Sequence, residues 1–320
     1  MPGLLHISAA VIRLERRIGK HIGARMEEDG ILTWRNAAGA LVTLAIAVLA
    51  AGYLGWLHPL GDSLAVGRAF AVMGVLFAAV LASLAGMQMA SFAATLFALI
   101  CGLQVFLAYF VPGPPGRVLV YQKNILYRNA DLAALEADIR AARPTLVTLQ
   151  EVSEANLVLL ENLRDAYPAQ QRCPGGKVGG EAVLSRLAMV AGTGFCAPGL
   201  AAMQVIDGDH RFWVVSLHLH WPYPYQQAEH VRMLLPVLAR LKGPVITGGD
   251  FNMVVWADAV KKLAAVTESE AAGPTFGTYD GLSPWLSLPI DHVLAPTGGR
   301  VIAREALGSD HLGLLAQVEP

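Results

Sequence analysis

The run "GPVITGGDFNMVVWAD", residues 243–258, decides how this chain reads. Gly-Pro turns the chain into a short apolar strand starting at Val245. Gly248 and Gly249 then deliver Asp250 and Asn252, with one residue between them. Asp and Asn are poor strand formers and costly to bury unpaired. An isolated Gly-Gly-Asp is ordinary turn chemistry, so the reading depends on what stands at the ends of the other strands.

Working outward, the region 117–320 alternates strand and helix patterns. "RVLVYQKNILYRN" is an apolar strand running into Asn124, and "DLAALEADIRAA" has helical spacing with Asp131 at its N-cap. "RPTLVTLQEV" is a buried strand ending at Glu151. "SEANLVLLENLRDAYP" predicts a helix capped by Ser153, and "YQQAEHVRMLLPVLARL" another helix. Strands alternating with helices, then a strand-rich stretch, indicate a mixed α/β domain over 113–320. Asn124, Glu151, His218, Asp250, Asn252, Asp291, Asp310 and His311 each lie at or just after an apolar strand. Strand ends converge on one rim of a sheet, where ligand sites concentrate. Eight side chains of types that bind hard cations, move protons and grip phosphate turn the GGDFN question from turn to site.

The ordered set "QKNIL … LQEV … SLHLHWP … GGDFN … IDHVL … GSDHLGLL" resembles the endonuclease/exonuclease/phosphatase superfamily, metal-dependent phosphoesterases related to pancreatic-type deoxyribonuclease and neutral sphingomyelinase. The resemblance covers about residues 117–318, and the whole chain is similar to membrane-tethered bacterial members. It implies a four-layer α/β sandwich of two packed mixed sheets flanked by helices. It also implies hydrolysis of phosphate esters with Mg²⁺, Mn²⁺ being a possible substitute. Residue by residue, it gives Glu151, Asn124 and Asp310 to the metal. Asp250 would orient or deprotonate the attacking water, and Asn252 would donate to phosphate. Asp291 would orient His311, and His218 would serve a phosphate oxygen or the leaving group. Hard Mg²⁺ favours few carboxylates plus waters and substrate oxygens, which suits this set.

Other polar and aromatic residues read less sharply. Arg186 suits a phosphate contact or a salt bridge equally. His220 lies two residues after His218, on the same strand face, and reads as a rim hydrogen-bonding group. His-x-His can open a zinc site, but no matching pair follows. Trp221, Tyr223 and Tyr225 form a candidate aromatic rim beside His218 for a base or acyl chain. His292 reads as structural and His210 as part of a hairpin turn. "PGGKVGG" (174–180) lacks the Ser/Thr of a Walker loop and reads as a hairpin tip. Cys173 and Cys196 fit either a disulfide or two free thiols.

Upstream the character is different. Only 15% of the 320 residues are charged, against roughly 25% in a soluble domain, and the shortage is local. Residues 69–116 hold no Lys, Arg, Asp or Glu, and 36–60 is also uncharged. A bilayer core takes about 20 apolar residues per helix, which predicts a membrane region 36–112 with spans near 37–58, 69–87 and 90–111. Six Lys/Arg in 1–35 favour a cytoplasmic N-terminus, placing 113–320 outside the cytoplasm of a bacterial inner membrane. Residues 1–28 suit an amphipathic basic helix on an anionic leaflet or a solvated tail.

Residues 113–320 carry 17 Lys+Arg and 20 Asp+Glu, not the basic footprint of a protein that grips long nucleic acid. The expected activity is therefore membrane-anchored hydrolysis of a phosphodiester or phosphomonoester, with a lipid headgroup or small phosphoester favoured and no obligate protein partner. The alternatives are a nuclease outside the cytoplasm and a non-catalytic phospholipid- or partner-binding module.

Overall fold

The computed structural model describes residues 32–281 and 286–320, together with Lys20 and Gly30. The expectation for residues 1–28 falls almost entirely outside the described residues. The chain forms two compact units, residues 1–50 with 69–102, and residues 51–68 with 103–320.

Two helices, α1 (Leu32–Ala51) and α4 (Gln88–Phe110), each mostly in the first unit, are long and apolar enough to cross a membrane. A shorter pair, α2 (Leu60–Val66) of the second unit and α3 (Arg68–Leu84), passes the same test only when the two are taken together. α1 stops at Ala51, well short of the expected His58, and Gly52 and Tyr53 open a turn there. The helices are built inside out. Ala78, Ala79, Ala82, Ala94 and Ala98 are buried, whereas Phe70, Met73, Phe77, Phe92 and Ile100 face outward.

The second unit holds two mixed sheets. The first is ordered β12-β13-β1-β2-β4-β3, from β1 (Val118–Asn124), β2 (Leu146–Val152), β3 (Ala169–Gly176), β4 (Gly179–Ser185), β12 (Gly299–Arg304) and β13 (Gly313–Val318). The second is ordered β10-β11-β9-β8-β7-β5, with β6 beside β7. Its strands are β5 (Ala188–Met189), β6 (Phe195–Ala197), β7 (Leu200–Asp207), β8 (His210–His218), β9 (Val245–Asp250), β10 (Glu270–Ala271) and β11 (Asp291–Ala295). Among the described residues, each sheet contains a single parallel strand pair, β1/β2 and β8/β9. Those pairs are joined through α5 (Leu132–Ala142) and α7 (Gln227–Leu238), as parallel neighbours require. The structure also contains α6 (Leu157–Asn162) and α8 (Asp258–Val266).

Strand alternation builds the layers. Val118 and Val120 point into the inter-sheet core with Met203, Phe212, Val214 and Ile246. Tyr121, Val147 and Leu149 point the other way, onto Leu135 and Ile139 of α5 and Leu159 of α6. The fold is thus the expected α/β sandwich of two sheets flanked by helices. Locally, the expected helix from Ser153 is shortened to a 3-10 turn followed by α6, and Ser153 Oγ donates to Tyr127 O at 2.7 Å rather than accepting a backbone N–H of the first turn.

The two glycines before Asp250 have different neighbours. A Cβ on Gly248 would lie 2.2 Å from Thr148 Oγ1 of the facing sheet, and one on Gly249 would lie 2.2 Å from Leu217 O. Both contacts are closer than any side chain tolerates, so β9 reaches its site only through glycine.

Candidate active site

Three adjacent strands deliver the centre of the site in register. His218 ends β8 opposite Asp250 of β9, and Asp250 lies opposite Asp291 of β11. From the facing sheet, β1 ends at Asn124, paired with Gln150 of β2, and Glu151 follows within a register shift of the β2/β4 ladder. Glu151 and Asn252 both adopt left-handed backbone, with φ of 59° and 46°. Non-glycine residues rarely hold this conformation, and such strain concentrates at functional sites.

Asp250 is buried at the focus. Its Oδ1 accepts the Asn252 backbone N–H at 2.8 Å, and its Oδ2 accepts Asn124 Nδ2 at 3.0 Å. The same Oδ2 lies 3.6 Å from His218 Nε2 and 3.7 Å from His311 Nε2. His311 Nδ1 is 2.8 Å from Asp291 Oδ2, whose other oxygen accepts Gln122 Nε2 at 2.9 Å. Ligand atoms of Asp250, Asp291 and His311 all lie within 4.8 Å of one another, close enough to share a metal ion. Asn124 Nδ2 also donates to Glu151 Oε1 at 3.2 Å, while its Oδ1 accepts Leu126 N–H. The amide is thereby fixed with its NH₂ joining two carboxylates.

The sequence 121–311 matches the family model described as "Endonuclease/Exonuclease/phosphatase family". The chain belongs to this family. It is accordingly an enzyme, a hydrolase acting on phosphate ester bonds. Among curated protein sequences none matches this chain. The fold is similar to that of TDP2 from Caenorhabditis elegans, at 15% identity and TM-score 0.50, over 62% of this chain and 74% of that one. Two further similar structures are a beta toxin variant from Staphylococcus aureus with bound magnesium ions and the human nocturnin catalytic domain with bound sulfate. The first has 13% identity over 63% of this chain and 99% of that chain, with TM-score 0.47. The second has 17% identity over 63% and 92%, with TM-score 0.46.

The electrostatics of this family member follow from burial and pairing. Burial pushes the Asp250 carboxyl up to about 7, against the opposing pull of His311. Burial alone would depress His311, but Asp291 and Asp250 outweigh it and raise the imidazole to about 10. Burial likewise acts to raise Asp291, yet the charge and hydrogen bond of His311 hold it below the usual carboxylate range. His218 is lowered, chiefly by burial.

The remaining expected residues scatter. Asp310 is exposed beside the cluster. Asn252 donates its amide to Leu219 O at 2.8 Å. His220 and Trp221 line a cavity of about 450 Å³ with Glu151, His218, Tyr225 and Asn252. Tyr223 is exposed and points its carbonyl to Ser63 Oγ at 2.8 Å. Arg186 is not brought to the site. It follows Ser185, which pairs with Leu146 at the start of β2, the end away from Glu151, and its guanidinium lies over the Tyr167 ring. His292 Nε2 donates to Met253 O at 2.8 Å within the core, and His210 closes the β7/β8 hairpin, as expected.

Four residues were not anticipated. Lys123 is buried, lowered to about 8 by burial, and donates to Glu305 O, Ala306 O and His311 O. Gln122 bridges the sheets, from Asp291 to Gln150. Tyr279 lies tilted against the His311 ring at 4.8 Å and meets Trp221 edge-on at 5.5 Å. Glu181 is buried in the cavity wall, 4.0 Å from His218 Nδ1, and is pushed up to about 8 by burial. A lone Glu or Lys within an apolar strand was the available signal for two of them.

Proposed function

We propose that this chain is a membrane-anchored, Mg²⁺-dependent phosphoesterase that hydrolyses a lipid or small phosphate ester by in-line attack of water. The observation that carries the chemistry is Asp250, buried between two histidine Nε2 atoms and within hydrogen-bond reach of Asn124. A carboxyl raised toward neutrality is suited to take a proton near physiological pH. Asp250 orients and deprotonates the water. His311, held as an imidazolium by Asp291, donates to a phosphoryl oxygen as charge builds there. His218 donates to the leaving oxygen, and Asn252 offers its second amide hydrogen to phosphate.

The donor set fits a hard divalent cation. Glu151, joined to Asp250 through Asn124, supplies one oxygen ligand, and exposed Asp310, adjacent to His311 in sequence, offers another in a partly hydrated setting. When bound, the cation supplies Lewis-acid stabilisation of the phosphoryl oxygens. Mn²⁺ has the same oxygen preference.

Anchoring is supported by the inside-out helices of the first unit, which bury alanines and expose large apolar side chains. Helices packing in lipid favour small residues at their contacts, and a water-facing bundle does the reverse. The Lys/Arg excess in residues 1–35 supports a cytoplasmic N-terminus and a catalytic domain outside the cytoplasm.

The test is hydrolysis by the full chain reconstituted in vesicles, with bis-p-nitrophenyl phosphate, headgroup-labelled phospholipid and plasmid DNA, in Mg²⁺ or EDTA. EDTA-sensitive turnover that Asp250→Asn lowers by roughly 10²–10⁴-fold is expected. Full activity in a folded Asp250→Asn variant would sink the mechanism, and preference for DNA would favour the nuclease.

A further inference from the structure

The segment between α1 and α3 is built into the catalytic unit by its charged and polar groups. Asp62 accepts the backbone N–H groups of Asp258 and Ala259 at 2.7 and 3.1 Å, at the start of α8. Trp256 Nε1 donates to Ala65 O at 2.8 Å. Arg68 donates to Gly52 O and Gln104 Oε1 and lies 3.7 Å over the Tyr53 ring. Ser63 Oγ donates to Tyr223 O, and the His58 ring meets the Tyr223 ring edge-on at 5.4 Å. Every charged side chain from 51 to 68 is therefore turned inward and partnered.

What the segment turns outward is apolar. Trp56 and Leu57 are each 66% exposed, and Leu54 and Leu60 are exposed beside them in sequence. Through the His58 and Ser63 contacts this face continues onto exposed Tyr223, and two residues further to Tyr225, which is 63% exposed. Tyr225 also lines the cavity that holds His218 and Glu151. A water-facing surface would expose its charges and bury its Trp and Leu, so this polarity is reversed. Exposed apolar patches of this kind mark interaction sites. Trp and Tyr favour the headgroup layer, where an apolar ring carries a polar edge.

The chain itself identifies the occupant. The segment runs from the end of α1 to the start of α3, both among the apolar helices, and carries no charge before Asp62. We propose that Leu54, Trp56, Leu57 and Leu60, with Tyr223 and Tyr225, form a face that docks on the lipid leaflet and seats the mouth of the active-site cavity at the headgroup layer. This face rests on the membrane-anchoring reading above and narrows the substrate to a phosphoester presented by a bilayer. The interhelical segment is then more than a tether, because it fixes which way the catalytic mouth points.

Two measurements on the full chain in phosphatidylcholine/phosphatidylglycerol vesicles test it. In a Cys101→Ala background, a Trp56→Cys variant is labelled with an environment-sensitive dye, beside a Glu161→Cys control on α6. Headgroup-nitroxide lipids are expected to quench the label at 56 and to spare the one at 161. Equal access of aqueous iodide to both labels would overturn the proposal, even with the chain floating with the vesicles. A chain that does not float with vesicles would overturn the anchoring and the docking face together.

The second measurement compares wild type with Trp56→Ser/Leu57→Ser. Hydrolysis of headgroup-labelled phospholipid in the vesicle is expected to fall about tenfold, and hydrolysis of dissolved bis-p-nitrophenyl phosphate to stay unchanged. An equal fall on both substrates, or on neither, would overturn the docking role. Wild type inactive on both substrates would refute the phosphoesterase reading instead, and the labelling result would still decide the face.

Discussion

His311 and Asp291 form a buried pair, with imidazole Nδ1 2.8 Å from carboxylate Oδ2. Asp291, together with Asp250, holds His311 charged, up to about 10, in a place where burial alone would strip its proton. If His311 acts as a cation, activity persists through neutrality and falls as pH rises through that value. Asp291→Asn removes the charge, so the alkaline limb is expected to slide toward about 6.5, the ordinary imidazole value, with kcat down roughly 10²–10⁴-fold. A pH–rate profile of both enzymes checks this, and an unmoved limb would remove His311 from the cationic, charge-stabilising role. The stability sign follows the same shift. The folded pKa is raised, so the stabilisation is complete below about 6.5 and is lost as pH climbs through about 10.

Asn124 joins Glu151 to Asp250 through one amide nitrogen. Asn124→Leu leaves the two carboxylates facing each other without a donor between them. Groups that orient metal ligands are worth about 10–100-fold in metal affinity. The Mg²⁺ concentration for half-maximal activity is therefore expected to rise by that factor, with a matching loss of affinity in calorimetry. An unchanged metal requirement would place the cation elsewhere.

Lys123 holds three carbonyl oxygens of the loop that presents Asp310 and His311. Lys123→Met leaves those acceptors buried without their donor. A loss of roughly 3 kcal/mol or more is expected, read as a lower denaturant midpoint at unchanged slope. A midpoint within error of wild type would mean that the loop is held by other contacts.

Much of the site was readable because its residues sit at the ends of apolar runs, and strand ends share a rim. Asp250, Asp291 and His218 gather through register alone. Gln122 and Lys123 escaped because they precede Asn124 within β1, where alternation sends one between the sheets and the other outward, and only the partner strand or loop reveals their task. Arg186 suits a phosphate contact or a salt bridge equally from sequence, but β4 runs antiparallel to β2 and carries it to the end away from Glu151. α8 was missed because "DAVKKLAAV" has no cap of its own. Its first N–H groups are satisfied by Asp62, 196 residues earlier.

Cys173 and Cys196 form a disulfide in the structure, resolving the two readings the sequence left open. It ties β3 to β6 and closes a loop of sequence separation 23. The chain-entropy relation gives about 3 kcal/mol for such a loop. Cys173→Ala/Cys196→Ala is expected to lose that much stability, and wild type in reductant to behave like the variant. Identical unfolding with and without reductant would show that the bond contributes nothing.

Asp62 gives the last prediction, which concerns where the catalytic unit begins. Its two oxygens cap α8, immediately after the loop that follows Asp250 and Asn252. Loss of a helix cap costs about 1 kcal/mol, and Asp62→Ala also frees Trp256 and the Ser63–Tyr223 contact to loosen. The variant is expected to unfold at lower denaturant and to show a higher KM on vesicle substrate with a smaller change in kcat. The site's carboxylates and histidines are untouched, whereas the lip at Tyr223 and Tyr225 is not. A fragment starting at residue 113 lacks the cap altogether and is expected to share the stability loss. Equal stability of that fragment and the full chain in matched detergent would show that residues 51–68 are a linker and not part of the fold.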